Sequence, residues 1–131
     1  MARQARIFLA AEQPDGVTVA EVVSPDGRLY AELEPDADAR VSGLLDDFAR
    51  LADESAGPVV LDMRPIVVVD SSGCALLMRL RKVLLDRNRV LVLCTSPQAR
   101  DVFEVTKLVR LIPCHTDPDA AVALARADAK A

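Results

Sequence analysis

The chain has 131 residues, 51% of them apolar and 27% charged, with a net charge of −4, which suits a single globular domain with its own core. No apolar run approaches the roughly 20 residues a bilayer requires. No apolar segment follows Arg3 and Arg6 as it would in a signal peptide, so no membrane span and a cytoplasmic location are expected. Residues 1–62 hold 13 acids and 5 bases, residues 63–131 hold 7 and 11, and there is no tryptophan and one tyrosine; the clustered basic face and stacking aromatics of direct nucleic-acid binding are missing.

In chain order, Ile7 to Ala11 reads as a strand or an ordered arm within an N-terminal segment, residues 1–16. Val17 to Val23 is strand-like, Ser24-Pro25-Asp26-Gly27 is a turn signal, and Arg28 to Leu33 alternates well enough to close a hairpin with it. Val41, Leu44, Leu45, Phe48 and Leu51 then recur at helical spacing, with Asp36 or Asp38 placed to cap the helix start. Gly57-Pro58 breaks the chain before Val59-Val60-Leu61-Asp62, a continuous apolar run of the buried-strand type. Arg64-Pro65 turns, and Ile66 to Val69 approaches Asp70-Ser71-Ser72-Gly73.

From Gly73 a helical stripe runs through Leu76, Leu77, Leu80, Val83 and Leu84, with Arg79, Arg81, Lys82 and Asp86 toward water. Arg89 to Cys94 is the next buried strand. Ser96-Pro97 reads as an N-cap followed by proline at the first helical position, and Val102, Val105 and Leu108 are expected on one side of that helix. Leu111-Ile112 is expected to be a short strand, and Asp117-Pro118 to open a last helix carrying Ala121, Val122, Leu124 and Ala125. Buried strands separated by helices argue for parallel pairing. The predicted fold is α/β: one domain over residues 17–131, with a mixed sheet of about four to five strands and about four helices.

Cys74, Cys94 and Cys114 are odd in number and widely spaced, which gives neither a disulfide framework nor a metal-ligand set. No cofactor is implied. The basic residues Arg79, Arg81, Lys82, Arg87 and Arg89 read as a solvated helix face or as a surface for an acidic partner. Asp62, at a strand end, reads as a turn residue bonded to backbone, or as a support of the serine turn.

The strand-to-helix junction at Asp70-Ser71-Ser72-Gly73 carries the chemistry. The first N–H groups of a helix lack intrahelical partners, and the dipole adds partial positive charge there. Ser or Asp at this place is an N-cap, and the same geometry presents a hydroxyl to a kinase. A phosphate at that mouth would sit beside Asp70 and change the surface charge sharply. An enzymatic reading has less behind it. The segment lacks a Gly-x-Ser-x-Gly elbow, the glycines are isolated, and Cys114-His115, adjacent in the chain, rarely aim at each other as nucleophile and base must. His115 is expected in a solvated loop, and no catalytic residue is assigned.

The chain resembles the STAS domain, and within it the anti-sigma-factor antagonists. Ala31-Glu32-Leu33-Glu34 is similar to that family's Gly-Glu-Leu-Asp element. Val59 to Asp62 followed by Val69-Asp70-Ser71-Ser72-Gly73 matches its signature, Arg89 to Cys94 with Ser96-Pro97 follows its pattern, and Val105-Thr106-Lys107-Leu108 is similar to its usual Thr-Gly-Leu. The likeness runs from about Val17 to Ala125. It departs at Ala31, Glu34, Cys74 and Lys107, the last replacing a glycine. The resemblance implies phosphorylation of Ser71, with Ser72 its helix-start neighbour, and a partner surface of Glu34, Asp70, Ser71, Ser72 and Gly73. It also implies an anti-sigma factor serine kinase as partner and a metal-dependent serine phosphatase that removes the phosphate. A STAS scaffold or a subunit of a signalling or transport system is the alternative role.

Overall fold

A computed structural model describes residues 6–12, 16–24, 27 and 37–129, with side chains except at 6–12, 37–42, 72 and 128–129. Five strands form one sheet in the order β1-β2-β3-β4-β5: β1 Arg6–Glu12, β2 Thr18–Val23, β3 Val59–Met63, β4 Leu91–Thr95 and β5 Cys114–His115. β1 is antiparallel to β2, and β2 through β5 are parallel. The helices are α1 Ala37–Asp53, α2 Ser71–Leu85, α3 Pro97–Val105 and α4 Pro118–Ala129, with a 3-10 turn at Leu108–Arg110. The α/β class, the mixed sheet and the counts of strands and helices are as expected.

The strand order explains the layering. Because β2, β3, β4 and β5 are laid down in one direction, right-handed crossovers put their connecting helices on one face of the sheet. Leu44 and Phe48 of α1, Leu76, Leu77, Leu80 and Leu84 of α2, and Ala99 and Phe103 of α3 pack there against Leu61, Met63 and Leu93. The opposite face is left to α4, whose Ala121 and Ala125 lie against Val60, Val92 and Cys94. Every residue of β3 and β4 is therefore buried, which is why both strands read as unbroken apolar runs.

Some expectations change. The strand that pairs antiparallel with β2 is β1; the expected second hairpin strand, Arg28 to Leu33, lies outside the described residues, as do Asp36 and Glu34. Of the turn signal before it, Ser24 and Gly27 are described, and the Gly27 N–H donates to the Ser24 carbonyl at 3.3 Å. Val67 and Val68 do not extend a sheet strand. Their N–H groups both donate to the Gly27 carbonyl, at 2.9 and 3.1 Å, and the two side chains stand 45% and 47% exposed.

The third helix presents Ala99 and Phe103 to the core instead of Val102 and Val105, and Val105 is 82% exposed. The helix ends there because Lys107 takes a left-handed backbone, φ 66°, and the 3-10 turn follows. That turn consumes the residues before Leu111, so the last strand falls at Cys114–His115 and not at Leu111-Ile112. His115 is thus a half-buried strand residue paired in register with Cys94, not part of a solvated loop.

Arg89 is not a solvated surface cation either. Its guanidinium donates to the carbonyls of Gly57 and Ala52, at 2.6 and 2.7 Å, and to the Ser55 hydroxyl at 2.9 Å. It thereby closes the end of α1, whose last carbonyls have no intrahelical partner. Gly57 in the same loop has φ +78°, and a Cβ there would run into the Gly16 carbonyl.

Candidate functional site

The expected junction is built as a strand end, a loop and a helix start. β3 ends at Met63, Arg64-Pro65 turns, and Ile66 to Asp70 leads to the first residue of α2, Ser71. Asp70 is the N-cap: its backbone is extended, φ −99° and ψ −174°, and its Oδ1 accepts the Gly73 N–H at 2.8 Å. The Asp70 carbonyl accepts the Cys74 N–H at 3.0 Å, the first bond of the helix ladder. Capping is therefore done by the acid, and Ser71, one residue inside the helix, is spared that task. Its side chain is exposed, and among the described residues its hydroxyl has no hydrogen-bond partner. Gly73, two residues on, is buried. The side chain of Ser72 lies outside the described set, and so does Glu34.

Two contacts hold this loop from outside α2. The Ser96 hydroxyl donates to the Ile66 carbonyl at 2.7 Å and accepts the Ala99 N–H at 3.1 Å. One buried side chain thus caps α3 and ties that helix to the loop before Ser71. The N-cap role was expected from Ser96-Pro97; the link to Ile66, 30 residues away, has no signature in the sequence. The second contact is the Gly27 carbonyl that receives Val67 and Val68. One turn into α2, burial raises the pKa of the Cys74 thiol, partly offset by the Thr106 side chain.

Asp62 does not support the serine turn. Both of its oxygens are engaged by Arg64: Oδ1 accepts the Arg64 N–H at 3.2 Å and Nε at 2.9 Å, and Oδ2 accepts Nη2 at 2.8 Å. Burial works against ionisation of Asp62, yet the bonds and charge of Arg64 outweigh it and hold the carboxyl below its usual 3.8. The pair borders a cleft of about 370 Å³ with Glu21, Val22, Val23 and Pro65, at the carboxyl ends of β2 and β3.

The remaining thiols are inert by environment. Desolvation pushes Cys94 up to about 11 and Cys114 up to about 12, far from the thiolate a nucleophile or metal ligand requires. Among the described residues no group of three His, Cys, Asp or Glu side chains is placed to hold a metal ion, and no helix is long and apolar enough to cross a membrane.

Comparison with known proteins agrees with the fold. A family model for the STAS domain matches residues 9–121. Among solved structures, an anti-sigma factor antagonist from Mycobacterium paratuberculosis is similar in fold, with a TM-score of 0.65 at 20% identity over 92% of this chain and 94% of that one. No curated protein matches the sequence.

Proposed function

Because the chain belongs to the STAS domain family, we propose that it is an anti-sigma-factor antagonist whose unphosphorylated form binds an anti-sigma serine kinase and thereby releases a sigma factor. Phosphorylation of Ser71 by that kinase ends the interaction, and a metal-dependent serine phosphatase restores it. The observation that carries this reading is the division of labour at the start of α2: Asp70 caps the helix, which leaves the exposed Ser71 hydroxyl available to a kinase. The printed description of the similar structure points the same way.

The surroundings suit a switch. Val67 and Val68 are half exposed just ahead of Ser71. They supply apolar surface next to a hydroxyl, and apolar surface is what a partner buries for affinity. A phosphate on Ser71 adds roughly −1.5 to −2 charges next to the carboxylate of Asp70. With Gly73 N–H already taken by Asp70, one of the helix-start donors is unavailable to that phosphate. The dianion would then have to be desolvated beside a like charge, which is unfavourable in any interface.

The test incubates the purified chain with ATP and candidate anti-sigma serine kinases from the source cell, and reads intact mass and the modified peptide. One phosphate is expected, on Ser71, and none on Ser71→Ala. Ser71→Glu is expected to lower affinity for the kinase at least tenfold, about 1.4 kcal/mol. Uptake of phosphate by Ser71→Ala at the wild-type rate would refute the site. Recovery of permease or scaffold subunits with no kinase, in a pull-down from the source cell, would refute the role.

A further inference from the structure

The far end of α2 carries a second surface that the switch does not use. Arg81, Leu85, Val90, Arg110, Leu111 and Pro113 line a cleft of about 180 Å³. Leu85 follows Ser71 by fourteen residues on α2, which at ~1.5 Å per residue separates the two by roughly 21 Å. The cleft lies where β4 and β5 begin, whereas the serine turn lies beyond the end of β3; the two sites lie at opposite ends of the parallel strands.

Its composition is unlike an ordinary solvated face. The walls are apolar, and Leu85 and Leu111 are 44% and 50% exposed. Two guanidinium groups accompany them, with no carboxylate in the lining. Arg81 is positioned, since its Nε donates to the Leu111 carbonyl at 3.1 Å, and four of its five N–H groups remain for a ligand. Among the described residues neither Arg81 nor Arg110 has an ion-pair partner. Lys82, Arg87 and Arg100, by contrast, are each paired, with Asp86, Asp53 and Glu104. On a chain of net charge −4, two uncompensated guanidinium groups beside exposed leucines mark a local reversal of charge. The volume is below the ~300 Å³ at which small-molecule sites begin and suits a single inserted side chain.

We propose that this cleft docks an acidic amphipathic segment of a partner protein. One branched apolar side chain enters between Leu85 and Leu111, and carboxylates on either side of it pair with Arg81 and Arg110 through charge-assisted hydrogen bonds. At about 21 Å from Ser71, more than two Debye lengths at physiological salt, the site stays open in both states of the switch. It therefore gives the chain a constitutive contact alongside a switchable one, and it does not depend on the role assigned to Ser71.

The experiment titrates a short capped peptide, leucines at helical spacing flanked by glutamates, into the full ¹⁵N-labelled chain. Saturable shifts are expected at Leu85, Val90, Arg110 and Leu111, weakened at least tenfold in Arg110→Gln and in the Arg81→Gln/Arg110→Gln pair. Raising the salt should weaken them too, and Ser71→Glu should leave them unchanged. Absence of saturable shifts, or equal affinity for a peptide with glutamine in place of glutamate, would overturn the proposal. So would shifts produced by dodecanoate but not by the peptide, which would assign the cleft to a small amphiphile. Shifts at the same residues that grow with protein concentration alone would assign it to a second copy of the chain.

Discussion

Replacing Ser96 by alanine tests how the serine turn is held. Its hydroxyl makes two bonds, one to the Ala99 N–H and one to the Ile66 carbonyl, and the residue is 6% exposed. Loss of an N-cap costs about 1 kcal/mol. Leaving a buried carbonyl without its donor costs about 1–3 kcal/mol more. Ser96→Ala is therefore expected to lose about 2–4 kcal/mol, a fall in Tm of roughly 6–16 °C for a chain of this size. Asp117 is the internal control: it caps α4 from an exposed position by accepting the Ala120 N–H at 2.9 Å and has no second bond of this kind. Asp117→Ala is expected to lose only about 1 kcal/mol. Urea unfolding followed by circular dichroism measures both, and amide exchange at Val67 to Asp70 should quicken in Ser96→Ala alone. Equal losses for the two variants would refute the tie between α3 and the loop.

Three further outcomes follow from positions described above. Lys107→Gly is expected to stabilise the chain by about 1 kcal/mol, because a left-handed backbone costs a residue with a Cβ about 1–2 kcal/mol and the added freedom of glycine when unfolded returns part of it; thermal melts check this, and Asn88→Gly, at φ 57°, should gain less, since asparagine tolerates that region. Gly57→Ala combines φ +78° with a methyl placed against the Gly16 carbonyl, and a loss of about 2 kcal/mol or more by urea unfolding is expected. The Asp62 carboxyl is held below 3.8 in the folded chain, so its contribution to stability is complete above about pH 4 and is lost as pH falls through the lowered value; melts between neutral and acidic pH should show that part of the acid sensitivity absent in Asp62→Asn.

What the sequence exposes and what it hides divide along physical lines. α2 was readable because its stripe, Leu76, Leu77, Leu80 and Leu84, is buried on one side only, and β3 and β4 because burial on both faces leaves no polar interruption. The start of α2 was readable as a place, and the structure adds which residue caps it. Arg89 was not readable: in the sequence it is one of five bases between residues 79 and 89, and only the fold brings the end of α1 to it. Val105 misled because its spacing from Val102 is helical, while the face that meets the sheet is set by Ala99 and Phe103, four residues apart. The last strand was misplaced because Leu111 and Ile112 are apolar for other reasons. Ile112 fills the core from a loop, and Leu111 borders the cleft beside Arg81. Asp62 and Arg64 sit two residues apart, a spacing that says nothing until the chain turns at Arg64-Pro65.

The Arg89 clasp bears on the order in which the chain folds. The carbonyls it donates to lie 32 and 37 residues earlier, so the end of α1 cannot be completed until α2 has formed and the chain has come back toward β4. Loop closure over that span is a barrier that local helix formation does not meet. The final turn of α1 should accordingly mature late, with mutations at Ser55 or Arg89 speeding unfolding far more than they slow folding. A residue that looks like a surface charge would then act as a late latch on the end of α1.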